Sequence, residues 1–199
     1  MFVYHFLRKI EARMNKIADE LKVTYEDLLA LGESNKRVEL FDGEPVMAAA
    51  MPKISHQLIA KNLGKALDAY VERNNRGLML IHPVDVVLSQ HNVVQPDLSY
   101  LTNDQLPLES DSELNQVPAM VVEILSPSTE ERDRKIKFKE YARFGVKEYW
   151  LVSPNDHRIE VYARSDKGFL LFKSFSRDDE LNTPLFPDIH LKVDSIFPQ

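Results

Sequence analysis

Two acidic residues stand in segments of the chain that otherwise predict buried strands. Asp97 follows Pro96 and precedes an extended stretch that starts at Leu98, and Glu123 lies within the apolar run 121–125. A carboxylate in such a run is costly to ionise unless a partner compensates its charge. Mg²⁺ and Mn²⁺ prefer oxygen ligands, and they keep waters beside one or two carboxylates. The two acids therefore predict a metal site where a metal-bound water attacks a phosphoryl group.

Each acid also has a structural explanation that needs no metal. A Pro-Asp pair is common in turns, and taken alone Pro96 and Asp97 favour that interpretation. A buried carboxylate without a partner is expected to protonate. Glu123 stays harder to explain this way, because it lies directly between Val122 and Ile124.

A metal-bound water or a phosphate also needs a positively charged neighbour. The helix predicted over 130–144 offers Lys135, Lys137 and Lys139. At about 100° per residue, Lys137 falls on the face of Tyr141, whereas the other two lysines fall on the opposite side. We expect Lys137 to point toward the sheet. The alternative is a lysine whose stem covers apolar surface while its ammonium stays in water.

Apolar periodicity and turn residues predict the elements that must position these side chains. Asp42 and Gly43 are the strongest hairpin signal. The predicted helix N-caps are Thr24, Ser55 and either Ser128 or Thr129, and Gly145 is predicted to end the last helix. The predicted strands are 37–41, 44–48, 78–88, 93–101, 117–125, 148–152, 158–164 and 169–175. The predicted helices are 6–21, 24–32, 55–75 and 130–144, and 103–116 is a predicted loop.

Composition narrows the class of protein. The chain has 199 residues, 44% hydrophobic and 28% charged, as is typical of one soluble globular domain. A net charge of -6 argues against a protein that coats nucleic acid through many phosphate contacts. There is no cysteine, no secretory signal and no apolar stretch near the ~20 residues of a membrane span, so we expect a cytoplasmic protein that does not enter a membrane.

Several motifs together resemble one family. Pro96 and Asp97 are followed by Val-Glu-Ile-Leu-Ser-Pro-Ser-Thr (122–129), by Asp133, Lys137 and Tyr141, and by Gly-Val-Lys-Glu-Tyr-Trp (145–150). These motifs are similar to those of the Uma-two-like restriction endonucleases, within the PD-(D/E)XK nuclease superfamily. The resemblance implies an α/β (α+β) fold, with a restriction-endonuclease-like mixed β-sheet core flanked by helices. It covers 24–199 as a single domain and leaves 1–23 as an N-terminal arm.

The resemblance also implies the composition of the site. Asp97 and Glu123 match metal ligands for Mg²⁺ or Mn²⁺, with the backbone carbonyl of Ile124 as a third ligand. The superfamily's lysine normally stands two residues after the second acid, where this chain has Leu125. Many relatives supply the amine from the following helix instead, which points to Lys137.

Three further residues are auxiliary candidates. Glu39 matches an acid of the family's early strand, although strand alternation turns it away from Val38 and Leu40, which favours a solvent-facing acid. His56 and Gln57 begin the long helix, and a helix N-terminus favours the approach of a phosphate. The alternative for His56 is an exposed residue near the cap.

These observations predict a metal-dependent endonuclease that hydrolyses phosphodiester bonds in nucleic acid, with DNA as the expected substrate. Cleavage of two strands needs two active sites, so family analogy adds a homodimer. One alternative is a nuclease-fold module that binds nucleic acid or a protein partner without turnover, which the acidic charge and Leu125 favour. Another is a general acid and base pair as in glycoside hydrolysis, for which no aromatic sugar platform is apparent.

Overall fold

In the computed structural model, residues 22–30, 38–47, 52–81, 84–110 and 112–198 are described. They group into two compact units, one from 1–48 and 87–94 and the other from 49–86 and 95–199. The predicted helix 6–21 lies outside the described residues. The division into an arm of 1–23 and a domain of 24–199 stays a prediction.

The elements of the described residues are numbered in chain order. The helices are α1 (Tyr25–Ala30), α2 (Ile54–Arg73), α3 (Glu130–Arg132) and α4 (Phe138–Phe144), with a π-helical turn (Asp133–Lys137) joining α3 to α4. The strands are β1 (Val38–Phe41), β2 (Glu44–Met47), β3 (Gly77–Ile81), β4 (Asp85–Ser89), β5 (Asn92–Val94), β6 (Leu98–Thr102), β7 (Glu113–Leu114), β8 (Met120–Ile124), β9 (Glu148–Ser153), β10 (Arg158–Ser165), β11 (Gly168–Phe175), β12 (Glu180–Leu181) and β13 (Leu191–Lys192). None of the helices described is long and apolar enough to cross a membrane.

The first unit contains the predicted hairpin. β1 and β2 pair antiparallel, and Asp42 and Gly43 join them with φ values of 49° and 81°. Positive φ at both central residues is the requirement of a type I′ turn, so the hairpin prediction is confirmed. The predicted cap of α1 is also confirmed, because the Thr24 hydroxyl accepts from the Asp27 amide at 3.1 Å and the Asp27 carboxylate accepts from the Thr24 amide at 2.8 Å.

The second unit is built on a six-stranded sheet in the order β11-β10-β9-β8-β6-β3. Every neighbouring pair is antiparallel except β8 and β9, which run parallel with Val122 opposite Trp150. A parallel pair needs a crossover, and the segment from α3 to α4 provides it. β8 is buried along its whole length, as its continuous apolar run predicts.

The predicted strands 78–88 and 93–101 are wrong in length. The structure has four short strands in their place, β3 to β6. Pro96 stands between β5 and β6, and proline has no amide hydrogen for the ladder, so β5 ends before it. The break between β3 and β4 includes 82–83, which lie outside the described residues.

One face of the sheet carries the main hydrophobic core. Ile59, Leu63 and Leu67 of α2 pack in one cluster with Val122 and Trp150. The 3.6-residue spacing of the α2 residues accounts for this face. The N-cap prediction is wrong, because the cap residue is Lys53, without a side-chain capping bond.

The other face of the sheet is covered by the helix of 130–144. Phe138 lies 6.1 Å from the ring of Tyr149 and 5.3 Å from the ring of Phe169, measured between centroids. Gly145 closes the helix with φ of 103°, as predicted. Thr129 holds the N-cap position without a side-chain capping bond, so neither Ser128 nor Thr129 is the predicted capping side chain.

A second buried acid ties the C-terminal region to the sheet. Glu148, 1% exposed, accepts hydrogen bonds from Trp150 Nε1 at 2.9 Å and from the Leu185 amide at 2.7 Å. Burial raises the pKa of Glu148 above its ordinary value of 4.5, while the bonds from Trp150, Leu185 and Thr183 act in the opposite direction. The folded protein therefore holds this proton more tightly than the unfolded chain does.

This difference predicts how stability depends on pH. The contribution of Glu148 is fully present below pH 4.5 and is lost as pH rises through the higher folded pKa. Over this window the free energy of unfolding of wild type should fall relative to that of Glu148→Gln. Urea denaturation of both proteins at a series of pH values measures the difference. An equal pH dependence in both would contradict the prediction.

Candidate active site

Asp97 stands immediately before β6, with its side chain 19% exposed. Leu98 pairs with Val122, and the amide of Asp97 donates to the Val122 carbonyl at 3.2 Å, so Asp97 lies across from Glu123 on the neighbouring strand. The Ile124 amide donates to Asp97 Oδ2 at 2.7 Å. The backbone of β8 therefore holds the Asp97 carboxylate at the end of the sheet.

Glu123 is the penultimate residue of β8, an inner strand of the sheet, and is 4% exposed. Its neighbours Val122 and Ile124 point into the main core, so strand alternation places Glu123 on the opposite face. Two side chains of the helix that covers this face donate hydrogen bonds to one carboxylate oxygen of Glu123. Lys137 Nζ donates to Oε1 at 2.8 Å, and the Tyr141 hydroxyl donates to the same atom at 2.7 Å.

Lys137 points toward the sheet, as the helical projection predicts. Its side chain is 3% exposed, whereas that of Lys135 is 70% exposed and Lys139 is also exposed. The alternative of an ammonium in water is therefore wrong. Lys137 Nζ also lies 3.8 Å from Asp133 Oδ1, so the ammonium has two carboxylates near it.

His56 is brought to the site, and Gln57 is not shown to be. His56 Nε2 lies 2.9 Å from Asp97 Oδ1, in a hydrogen bond whose direction depends on the tautomer. This contact argues against the alternative, in which His56 is an exposed residue near the cap with no role in the site. The Gln57 side chain is exposed.

Glu39 belongs to the first unit, while the other candidate site residues belong to the second. Its exposed fraction is 1%, so the alternative of a solvent-facing acid is wrong. The prediction from strand alternation was wrong because the face of β1 opposite to Val38 and Leu40 can also be buried. An auxiliary role for Glu39 stays a proposal.

The carboxylates of Asp97 and Glu123 are the candidate ligands for a metal ion. Among the residues that the structure describes, no three His, Asp or Glu side chains form a group that could hold a metal. Asp97 and Glu123 are two hard oxygen donors on adjacent chain segments, and Mg²⁺ typically takes one or two carboxylates and completes its shell with waters. The residues present therefore fit a hydrated divalent cation better than a cage made only of protein ligands.

The sequence predicted no role in the site for Tyr141 or Asp133. Both entered as motif residues, and Tyr141 also marked the helix face of Lys137. Both contact the central pair, Tyr141 through Glu123 and Asp133 through Lys137. The spacing of these residues along the helix could have indicated their place in the site. Positions 133, 137 and 141 are four residues apart, which places all three near one face of a helix.

The fold defines a class of protein, the nuclease-like proteins with a restriction-endonuclease-like core. This chain belongs to the Uma2 family, described as "Putative restriction endonuclease", whose family model matches residues 24–194. The match includes every site residue named above. The family resemblance seen in the motifs is thereby confirmed, and membership supports a nuclease-like function.

Two relatives illustrate the similarity. An uncharacterised protein of Synechocystis sp. is 28% identical over 162 residues, which cover 80% of this chain and 84% of that protein. A crystal structure from Anabaena variabilis, described as "a putative nuclease belonging to DUF820", superposes with a TM-score of 0.71 at 21% identity. It covers 88% of this chain and 97% of the other. The predicted fold class is confirmed.

Removal of the Lys137 ammonium should be costly for the fold. Lys137→Met should lower the free energy of unfolding by roughly 3–5 kcal/mol, because it leaves Glu123 buried without the ammonium. Urea denaturation measures the change. The matched control is Lys135→Met on the same helix, whose exposed pair with Glu131 should contribute nothing measurable. Similar losses in the two variants would refute the special role of the buried pair.

Proposed function

We propose that this chain is a metal-dependent endonuclease that hydrolyses phosphodiester bonds in DNA, with Mg²⁺ or Mn²⁺ as its cofactor. The observation that carries the proposal is the buried pair of Glu123 and Lys137 beside the partly exposed carboxylate of Asp97. Two acids and one amine are the groups that phosphodiester hydrolysis needs for metal binding and charge stabilisation. Membership of the Uma2 family supports the same chemistry.

Asp97 and Glu123 would hold the metal, with the backbone carbonyl of Ile124 as a third ligand. A divalent cation in such a site acts as a Lewis acid on the phosphoryl group and lowers the pKa of a bound water. Asp97 needs no large rearrangement for this task, because the Ile124 amide already orients it at 2.7 Å. Its 19% exposure leaves the carboxylate accessible from solvent.

Lys137 would orient the attacking water or stabilise the charge that develops on the phosphate. A buried ammonium is effective here, since electrostatic interactions are stronger away from bulk water. His56 lies in the first turn of α2, and its ring contacts Asp97. His56 and Gln57 would contact a phosphate or a metal-bound water. Glu39 would assist as an auxiliary acid.

The biological setting belongs to the same proposal. DNA is the substrate that the family description favours, and two copies of the chain, as a homodimer, would place one site on each strand. We place the protein in the cytoplasm, because a chain without cysteine fits a reducing compartment. A single catalytic domain over 24–199 after an arm of 1–23 agrees with the family match to 24–194.

Asp97→Asn is the substitution that tests the site with least damage to the fold. The amide oxygen of asparagine can still accept from the Ile124 amide, while the negative charge is lost. Calorimetric titration with Mg²⁺ and Mn²⁺ should show binding to wild type and a loss of binding in the variant. Cleavage of DNA should fall by at least about 100-fold, because metal stabilisation of the transition state is worth several kcal/mol.

The control is Asp156→Asn, which changes an exposed acid in the turn between β9 and β10. It should keep both metal binding and cleavage. Retained cleavage in Asp97→Asn would overturn the site assignment. Wild-type protein that binds DNA but does not cleave it with either metal would instead identify a binding module without turnover.

A further inference from the structure

We propose that Asp133 is a positioning residue for Lys137, which it holds at the site independently of Glu123. The inference deepens the proposed function and rests on it. The ammonium of Lys137 lies 2.8 Å from Glu123 Oε1 and 3.8 Å from Asp133 Oδ1. None of the three side chains is more than 5% exposed.

A π-helical turn places Asp133 on the correct face. In an α-helix of 3.6 residues per turn, a residue four positions later lies about 40° further around the axis. The turn from Asp133 to Lys137 is π-helical, with bonds that span five residues and more residues per turn. With either spacing, Asp133 and Lys137 lie on the same face of the helix. Such turns are rare, and they are frequently found at functional sites.

The backbone of Asp133 is anchored by groups other than Glu123. Its amide donates to the Thr129 carbonyl at 2.9 Å, and its carbonyl accepts from the Tyr149 hydroxyl at 3.1 Å. Tyr149 is fully buried in β9. Asp133 is therefore attached to the rigid sheet by a route that does not pass through the metal-site acids.

Two carboxylates around one ammonium have a consequence for catalysis. If Glu123 were the sole partner, Lys137 would lose its counter-charge whenever Glu123 turned to another ligand. The attraction falls only as the inverse of distance, so Asp133 at 3.8 Å is still a strong partner in a site of low dielectric. Glu123 can thus change partners while the Lys137 side chain stays in place.

The test measures the ammonium directly, in the full chain without added metal. A buried and bonded lysine ammonium exchanges its protons slowly with water, which nitrogen-15 NMR of the lysine side chains detects. In Asp133→Asn the Lys137 exchange should be faster by about tenfold, which corresponds to 1.36 kcal/mol of lost stabilisation. In Glu123→Leu, which removes both the charge and the hydrogen-bond acceptor, the slow signal of Lys137 should persist, because Asp133 still holds the ammonium.

The matched control is Glu131→Gln, which removes a carboxylate paired with Lys135 at the same four-residue spacing but in solvent. It should leave the Lys137 exchange unchanged. Loss of the Lys137 signal in Glu123→Leu, or unchanged exchange in Asp133→Asn, would overturn the inference. The Glu123→Leu measurement carries the test even if Asp133→Asn does not fold.

Kinetics on DNA provide the second measurement. Asp133→Asn should lower kcat by about tenfold with KM almost unchanged, because the interaction acts on the transition state and not on binding. Asp133→Glu, which keeps the carboxylate, should recover part of kcat, and Glu131→Gln should match wild type. Faster exchange with an unchanged kcat would overturn the positioning role. A wild type that does not cleave DNA would refute the proposed function alone, since the exchange measurement needs no activity.

Discussion

The site depends on one interaction, the buried ion pair between Glu123 and Lys137. Removal of a carboxylate and an ammonium from water is expensive, and their attraction compensates only when the geometry is good and other hydrogen bonds complete the site. The 2.8 Å contact and the second bond from Tyr141 meet this condition. β8 can carry the buried Glu123 only if the helix of 130–144 packs on that face with Lys137 inward. The same pair therefore constrains both the packing of the helix and the chemistry of the site.

Asp97 is held by a different means. It stands at a strand end with 19% of its side chain exposed, and a backbone amide orients it. The register that places Leu98 opposite Val122 also places this accessible carboxylate across from the buried Glu123. One acid is thus open to a ligand from solvent while the other is held by an amine. This arrangement, with one accessible carboxylate and one buried ion pair, suits a site whose charges are in place before a cation and a phosphate bind.

Much of this could be predicted from local patterns. Asp42 and Gly43 specify their turn because few residues tolerate positive φ. The inward direction of Lys137 followed from helical spacing, because Tyr141 on the same face had to be buried. The strand break at Pro96 was missed, although its physical cause is local. The π-turn was not predictable in this way, since an extra residue in a turn is stabilised by what the helix packs against.

The sequence by itself determined which residues could do chemistry: two acids in strand segments, one inward lysine and a set of motifs that resembles a nuclease family. These features are local, because they follow from residue type and from spacing along a helix or strand. Tertiary structure alone decided the partners. His56 meets Asp97 across 41 positions of the chain, and Lys137 meets Glu123 across 14. Whether an acid such as Glu39 is covered or exposed was also decided there, because burial depends on what packs over a strand and not on the strand's own alternation.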